Sequence, residues 1–224
     1  MAARADPIQA QLTAARRAQI LDAATRVFAA KGFHRATIRD VAQAAGVADG
    51  TIYNYFGNKT DVLLGLLNRL SAVEERPTDF AAAHGMRWDA FLRLYLAQRL
   101  SALQADSAAF RAVLPELLAD ATIRERYLAQ GLAPAMAVGE AYMAHLVAAG
   151  QIRPVDTALL ARIMAGTVLG LLLLQLLGDP YLPAHTDAIP AALADLFIQG
   201  LAPPQGEGAF DGRDPIAEPG QPAV

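Results

Sequence analysis

The 224-residue sequence predicts an all-α chain, a small three-helix head followed by a larger helical body. Three observations predict it. Apolar residues return at helical intervals along most of the chain, no useful stretch alternates with the period of a strand, and short helical segments give way to longer ones after a break at Pro77. Charge divides along the same line. The chain carries 19 Lys/Arg against 22 Asp/Glu, yet residues 1–61 hold eight basic and five acidic side chains, so a basic head precedes an acidic body. The absence of cysteine excludes disulfides and thiolate metal sites and fits a reducing compartment. The start "MAARADPIQAQL" lacks the apolar core of a secretory signal, which favours a cytoplasmic location.

Residues 1–12 read as a flexible N-terminus. From 13 to 31, Ile20, Ala24, Val27 and Phe28 fall on one face of an amphipathic helix that Gly32 ends. Two short helices follow, Thr37 to Ala45 and Asp49 to about Tyr55, completing a head over 13–58. Asn58 with Asp61 resembles a polar cap, and Leu63, Leu66, Leu67 and Leu70 then form the stripe of a linking helix over 59–75. The body, 59–201, continues with segments near 87–104, 107–129, 133–149, 156–178 and 186–201. Pro115, Pro134 and Pro190 are expected at kinks or first turns. Residues 202–224, rich in Pro and Gly, read as a disordered tail. The uncharged run "IMAGTVLGLLLLQLLG" (163–178) has 16 residues between Arg162 and Asp179, short of the roughly 20 a bilayer needs, so a helix buried in protein is expected and no membrane.

The stretch "TIRDVAQAAGVADGTIYNYFGNK" (37–59) carries the functional signal. Thr37 can cap a helix with Asp40 reaching back; Ile38, Val41, Ala42 and Ala45 face inward, Gly46 ends the helix abruptly, and Val47 and Ile52 join the same core. Two helices joined by so tight a turn form a helix-turn-helix, whose second helix enters the major groove. With Ile52, Tyr55 and Phe56 inside, the outer side presents Asp49, Gly50, Thr51, Tyr53 and Asn54. Gly50 permits close approach, Thr51 and Tyr53 can donate to phosphate oxygens, and Asn54 can read a base edge. Tyr53 and Tyr55 read equally as half-buried aromatics. Lys59 at the start of the next helix suits a phosphate, and Arg39 with the Thr37 hydroxyl could grip another.

Residues from about 14 to 70, through "ILDAATRVFAAKGFHRATIRDVAQAAGVADGTIYNYFGNKTDVLLGLL", closely resemble the DNA-binding domain of the TetR family of bacterial transcriptional regulators. The resemblance implies that Thr37, Arg39, Asp49, Gly50, Thr51, Tyr53, Asn54, Tyr55 and Lys59 lie at or near DNA. Many members carry His at the position of Asn54, and Asp49 would repel phosphate or accept from a cytosine amino group. It further implies a homodimer, joined through the last two long helices and reading a palindromic operator of double-stranded DNA. Gly166, Leu169, Gly170, Leu173, Leu193 and Phe197 are the candidate interface residues. A small-molecule effector in the body would shift the helix that starts near Asn58 and release DNA, making the chain a repressor. Trp88, Phe91, Tyr95, Phe110, Tyr142, Met143, His145 and Met164 are candidates to line the effector cavity, His145 and Tyr142 because a polar tip in an apolar helix needs a partner.

Catalysis finds no support in the sequence. The four histidines have no metal-ligand spacing, no Gly-rich phosphate loop is present and no Ser/His/Asp grouping can be defended, so neither metal nor cofactor is expected. A helical interaction module without DNA binding is the remaining alternative.

Overall fold

The computed structural model describes residues 7–72, 76–83 and 85–203, and among them every regular element is helical. Helix α1 (Pro7–Lys31) starts earlier than expected. Residues 7–12 form its first turns because proline is at ease at a helix start and the following Ile, Gln, Ala and Leu continue it, with the Thr13 hydroxyl donating to the Gln9 carbonyl at 2.8 Å. Gly32, at φ +75°, ends α1. Helices α2 (Ile38–Ala45) and α3 (Asp49–Tyr53) complete the head, and α4 (Lys59–Leu70) leaves it, ending short of the expected residue 75.

The body holds α5 (Arg76–Ala83), α6 (Trp88–Ala105), α7 (Ser107–Ala119), α8 (Ala121–Tyr127), a π-helical turn (Leu128–Leu132), α9 (Ala133–Ala148), α10 (Thr157–Leu176), α11 (Tyr181–Ala184) and α12 (Ile189–Leu201). Helix α5 was hidden by Pro77, which occupies its first turn, where a missing N–H removes no helical bond. The expected segment 107–129 divides at Asp120, whose carboxylate accepts from the Thr122 and Ile123 N–H groups at 2.8 and 3.1 Å and so starts α8. Pro134 and Pro190 stand in first turns, and Pro115 lies inside α7. The tail, from residue 204 onward, lies outside the described residues.

Two apolar cores organise the chain. The first joins α1–α4 to Ala109 and Val113 of α7 and to Ile123 and Tyr127 of α8. Helix α4 therefore shares its packing with both head and body. The second core gathers α5, α6, α9, α10 and α12 around Phe91, Leu92, Leu96, Tyr142 and Leu146.

Helix α10 runs 20 residues, so by length and composition it could cross a bilayer, and the length argument made from the sequence fails. Its Leu160, Ala161, Met164 and Leu172 pack inward, and Arg162 pairs with Glu140 of α9 at 2.7 Å. The opposite side carries Leu159, Ile163, Gly166, Gly170, Leu173 and Leu177, a seam at alternating intervals of four and three residues. Leu173 is 45% exposed, and a Cβ added at Gly166 or Gly170 would meet no neighbour.

Candidate nucleic-acid interface and internal cavity

The turn between α2 and α3 is built as the residues require. Thr37 caps α2: its hydroxyl accepts the Asp40 N–H at 3.1 Å while its own N–H donates to the Asp40 carboxylate at 3.0 Å. Lys31 adds a 2.7 Å contact to Asp40. The Lys31 ammonium, followed by the Thr37 N–H and hydroxyl, holds the Asp40 carboxyl well below its ordinary range, at about 2. Gly46 takes the left-handed conformation (φ +66°) that ends α2, and the Val47 N–H closes on the Ala42 carbonyl at 3.0 Å. Ala42, Val41 and Ile52 are fully buried where the helices cross. Two cations cap the exposed carbonyls: Arg26 bonds Ala44 at 3.2 Å, and Arg17 bonds Tyr55 at 3.2 Å while lying over the Phe56 ring.

This packing turns one side of α3 outward. Tyr53 is 56% exposed, Gly50 and Asn54 are exposed, and Thr51 and Asp49 are half-exposed. A Cβ at Gly50 would meet open space, so the surface there is flat. Thr37 and Arg39 stand exposed beside it. Asp49 accepts from Arg39 Nε at 3.1 Å, which neutralises the charge expected to repel phosphate.

Two residues of the expected DNA set sit elsewhere. Tyr55 is half-buried against the head core. Lys59 does not reach outward as a phosphate clamp: its ammonium donates to the carbonyls of Phe33 (2.8 Å), His34 (3.2 Å) and Ala36 (2.9 Å) and lies 4.5 Å from the Phe33 ring centre. The turn after Gly32 leaves those carbonyls without helical partners, and a three-donor ammonium satisfies them. Lys59 is thus a strut between the α1–α2 connection and the start of α4.

A cavity of about 340 Å³ lies where the two cores meet, walled by α4 through Leu67 and Leu70 and by α5–α10. Trp88, Phe91, Tyr95, Phe110, Met143 and Met164 line it as expected. Tyr142 and His145 do not. Tyr142 is buried beside the rings of Phe80 and Phe91, each 5.1 Å away between centres, and burial pushes its hydroxyl pKa up. His145 is exposed, because α9 turns Met136, Gly139 and Met143 toward the cavity and His145, two residues on, to the other side. Of the candidate interface residues, Gly166, Leu169 and Leu173 are exposed and Gly170 is half-exposed; Leu193 is only 6% exposed and packs with Phe197 in the second core. Leu196, 70% exposed, holds the outward position on α12 instead. The sequence reading also missed the cavity's cations, Arg76, Arg99 and Arg124. Arg99 could have been found, since it interrupts the stripe Leu92, Leu96, Leu103 on the cavity side of α6.

Residues 20–66 match the family model described as bacterial regulatory proteins, tetR family. Solved structures extend the likeness well past the head. The fatty acid degradation regulator FadR of Bacillus halodurans is 25% identical, covers 82% of this chain and 98% of its own, and superposes with a TM-score of 0.66. Residues 20–66 are thus a TetR-type head, and the rest of the chain shares the fold of solved TetR-family regulators. Another TetR-fold structure, FadR of Bacillus subtilis in complex with stearoyl-CoA, aligns at the same TM-score of 0.66 with 24% identity over 82% of this chain and 98% of that one. The fatty acid metabolism regulator protein of Bacillus subtilis (strain 168) is 54% identical over 48 residues, 21% of this chain and 25% of that protein. The strong sequence match to this relative thus spans a quarter of that protein's length.

Proposed function

We propose that the chain is a ligand-responsive transcriptional repressor that binds a palindromic operator as a homodimer in the cytoplasm and leaves it when a small molecule fills the cavity. The observation that carries this reading is the position of α4. Its first turn adjoins the helix-turn-helix, its Leu67 and Leu70 form cavity wall, and its buried face packs with both. A change in the cavity therefore bears on the helix that aims α3.

The connections are specific. Asp61 near the start of α4 pairs with Arg126 of α8 at 2.7 Å, and Ser71 at its end bonds the Tyr127 hydroxyl. Between them, Asn68 rests against Gly131 of the π-helical turn, which contributes Leu128 and Leu132 to the cavity wall. A ligand moves the operator equilibrium only by its difference in affinity for two settings of this joint, typically about 1–3 kcal/mol. The outward seam of α10 suits a second copy: an apolar stripe of this length facing water is unfavourable, and Gly166 and Gly170 leave room for a partner helix to approach. Pairing would place two α3 helices to read half-sites about 34 Å apart. The Bacillus subtilis FadR structure, of the same fold and in complex with stearoyl-CoA, supports a body that takes a small molecule with a long acyl chain.

Binding to the DNA upstream of the chain's own gene, measured at two salt concentrations, tests the reading. A sequence-preferring complex that weakens steeply with salt is expected. Weak binding indifferent to sequence would favour an interaction module that does not recognise DNA.

A further inference from the structure

The walls of the cavity specify more than size. Among the described lining residues stand three arginines, Arg76, Arg99 and Arg124, and no Asp, Glu or His. Nearly all the remainder is aliphatic or aromatic. All three are half-buried; a cation set among apolar groups is costly unless an acceptor meets it, and the acceptors described for Arg76 are backbone carbonyls. Arg76 Nε donates to the Ser71 carbonyl at 3.0 Å and Nη1 to the Ala135 carbonyl at 3.4 Å; Arg99 Nη2 donates to the Leu70 carbonyl at 2.9 Å. Two guanidinium groups thus converge on adjacent carbonyls at the C-terminal end of α4. Arg124 is held apart, on the Leu118 carbonyl at 3.2 Å.

From this arrangement we infer that the effector is an anionic amphiphile: an apolar chain fills the cavity and its negatively charged head seats against Arg76, beside Arg99 and the end of α4. The inference rests on the proposed ligand-responsive reading and names the ligand class for that site. A carboxylate or phosphate is a stronger acceptor for guanidinium than a peptide carbonyl and fits its fork with two parallel bonds. The bound head draws Arg76 from Ser71, and the last turn of α4 loses a cation that favours its helix dipole. Head-group binding is in this way coupled directly to the helix that aims the DNA-reading surface. A cationic head would be repelled by the Arg76 guanidinium, whose described partners are backbone carbonyls, so the seat at Arg76 favours a negative head.

Trp88, the single tryptophan, lines the cavity, so its fluorescence in the full-length protein reports occupancy without DNA. The probes are dodecanoate, 1-dodecanol and dodecyltrimethylammonium, all below their micelle thresholds, with dodecanoyl-CoA and free CoA as a further pair. Dodecanoate is expected to bind on the order of ten- to a hundred-fold tighter than the alcohol, the range for one charge-assisted contact, and the ammonium weakest. Arg76→Gln is expected to abolish the preference for carboxylate over alcohol, Arg76→Lys to keep part of it and Arg124→Gln to leave it intact. Circular dichroism checks that each variant is folded, and the three wild-type titrations need no variant. Tighter dodecanoyl-CoA than dodecanoate, with CoA alone silent, would assign the head to the thioester conjugate; the reverse order would assign it to the free acid. Either order upholds the anionic class. Equal binding of acid and alcohol, or preferred binding of the ammonium, overturns it, and a preference lost in Arg124→Gln but kept in Arg76→Gln overturns the placement of the head. If operator DNA is bound and released by a neutral or cationic compound instead, the class is wrong and the repressor reading stands; if no operator is bound, the repressor reading fails whatever the fluorescence shows.

Discussion

Gly131→Ala isolates the contact between the π-helical turn and α4. A Cβ there would fall 2.4 Å from Asn68 Oδ1 and 3.1 Å from two carbons of the Tyr127 ring. The first distance is far inside van der Waals contact, so Asn68 must swing away; its Oδ1 is buried without a partner, so the movement forfeits no hydrogen bond. Overpacking of this kind costs about 1–3 kcal/mol. Working against it, replacing glycine by alanine within a helix gains about 1 kcal/mol. In the wild-type background the clash should outweigh the gain, and the variant should be destabilised by up to about 2 kcal/mol. In an Asn68→Ala background the nearest atom is gone, and the same substitution should be neutral or slightly stabilising. Urea unfolding of the four proteins, with midpoints compared at a common slope, measures the coupling. If Gly131→Ala destabilises equally in both backgrounds, the penalty lies in the turn's backbone or the Tyr127 ring, and Asn68 does not carry the joint.

Lys59→Ala should destabilise the head by about 1–3 kcal/mol, because three carbonyls, two of them in part-buried bonds, lose their donor, while the slope of log affinity for DNA against log salt stays constant. A slope reduced by about one at unchanged stability would restore Lys59 as a phosphate clamp. Tyr53→Ala should change stability by less than about 0.5 kcal/mol, since the side chain is exposed, yet weaken operator binding about ten-fold; unchanged affinity would remove Tyr53 from the interface. Asp40, held at about 2 when folded against an ordinary 3.8, stabilises the fold fully above about pH 5, and its contribution disappears as pH falls toward 2. Asp40→Asn should therefore flatten the acid limb of the stability profile, and an unchanged limb would contradict the ion pair with Lys31. Leu173→Glu should convert a dimer to a monomer in sedimentation velocity, and a retained dimer would place the interface elsewhere than α10.

The head was legible because its determinants are local: Thr37 and Asp40 are three residues apart, and the Gly46 break and the buried Ala42 and Ile52 fall within one hairpin. Lys59 was misplaced for the opposite reason, since its partners are backbone carbonyls 23–26 residues away, and sequence displays side chains, not free carbonyls. Leu193 was assigned outward on a helix whose apolar residues occupy both faces. Packing of α12 on α6, not hydrophobicity, decides that Leu193 faces in and Leu196 out. His145 and Tyr142 were chosen on polarity within an apolar helix, which marks a residue as unusual without saying which way it turns. The cavity's arginines lie apart from the aromatic and thioether groups that suggest a cavity in the sequence, although Arg99 sits in an apolar stripe where a cation needs a reason.

Operator recognition as proposed requires α3 to read DNA from a paired molecule. Hydroxyl-radical footprinting of the full-length protein on its selected operator tests this most directly. Two protected tracts related by two-fold symmetry, centred about one helical turn or a whole multiple of it apart on one face of the duplex, are expected, and Tyr53→Ala should remove both together. A single protected tract, or two tracts on opposite faces, would contradict it.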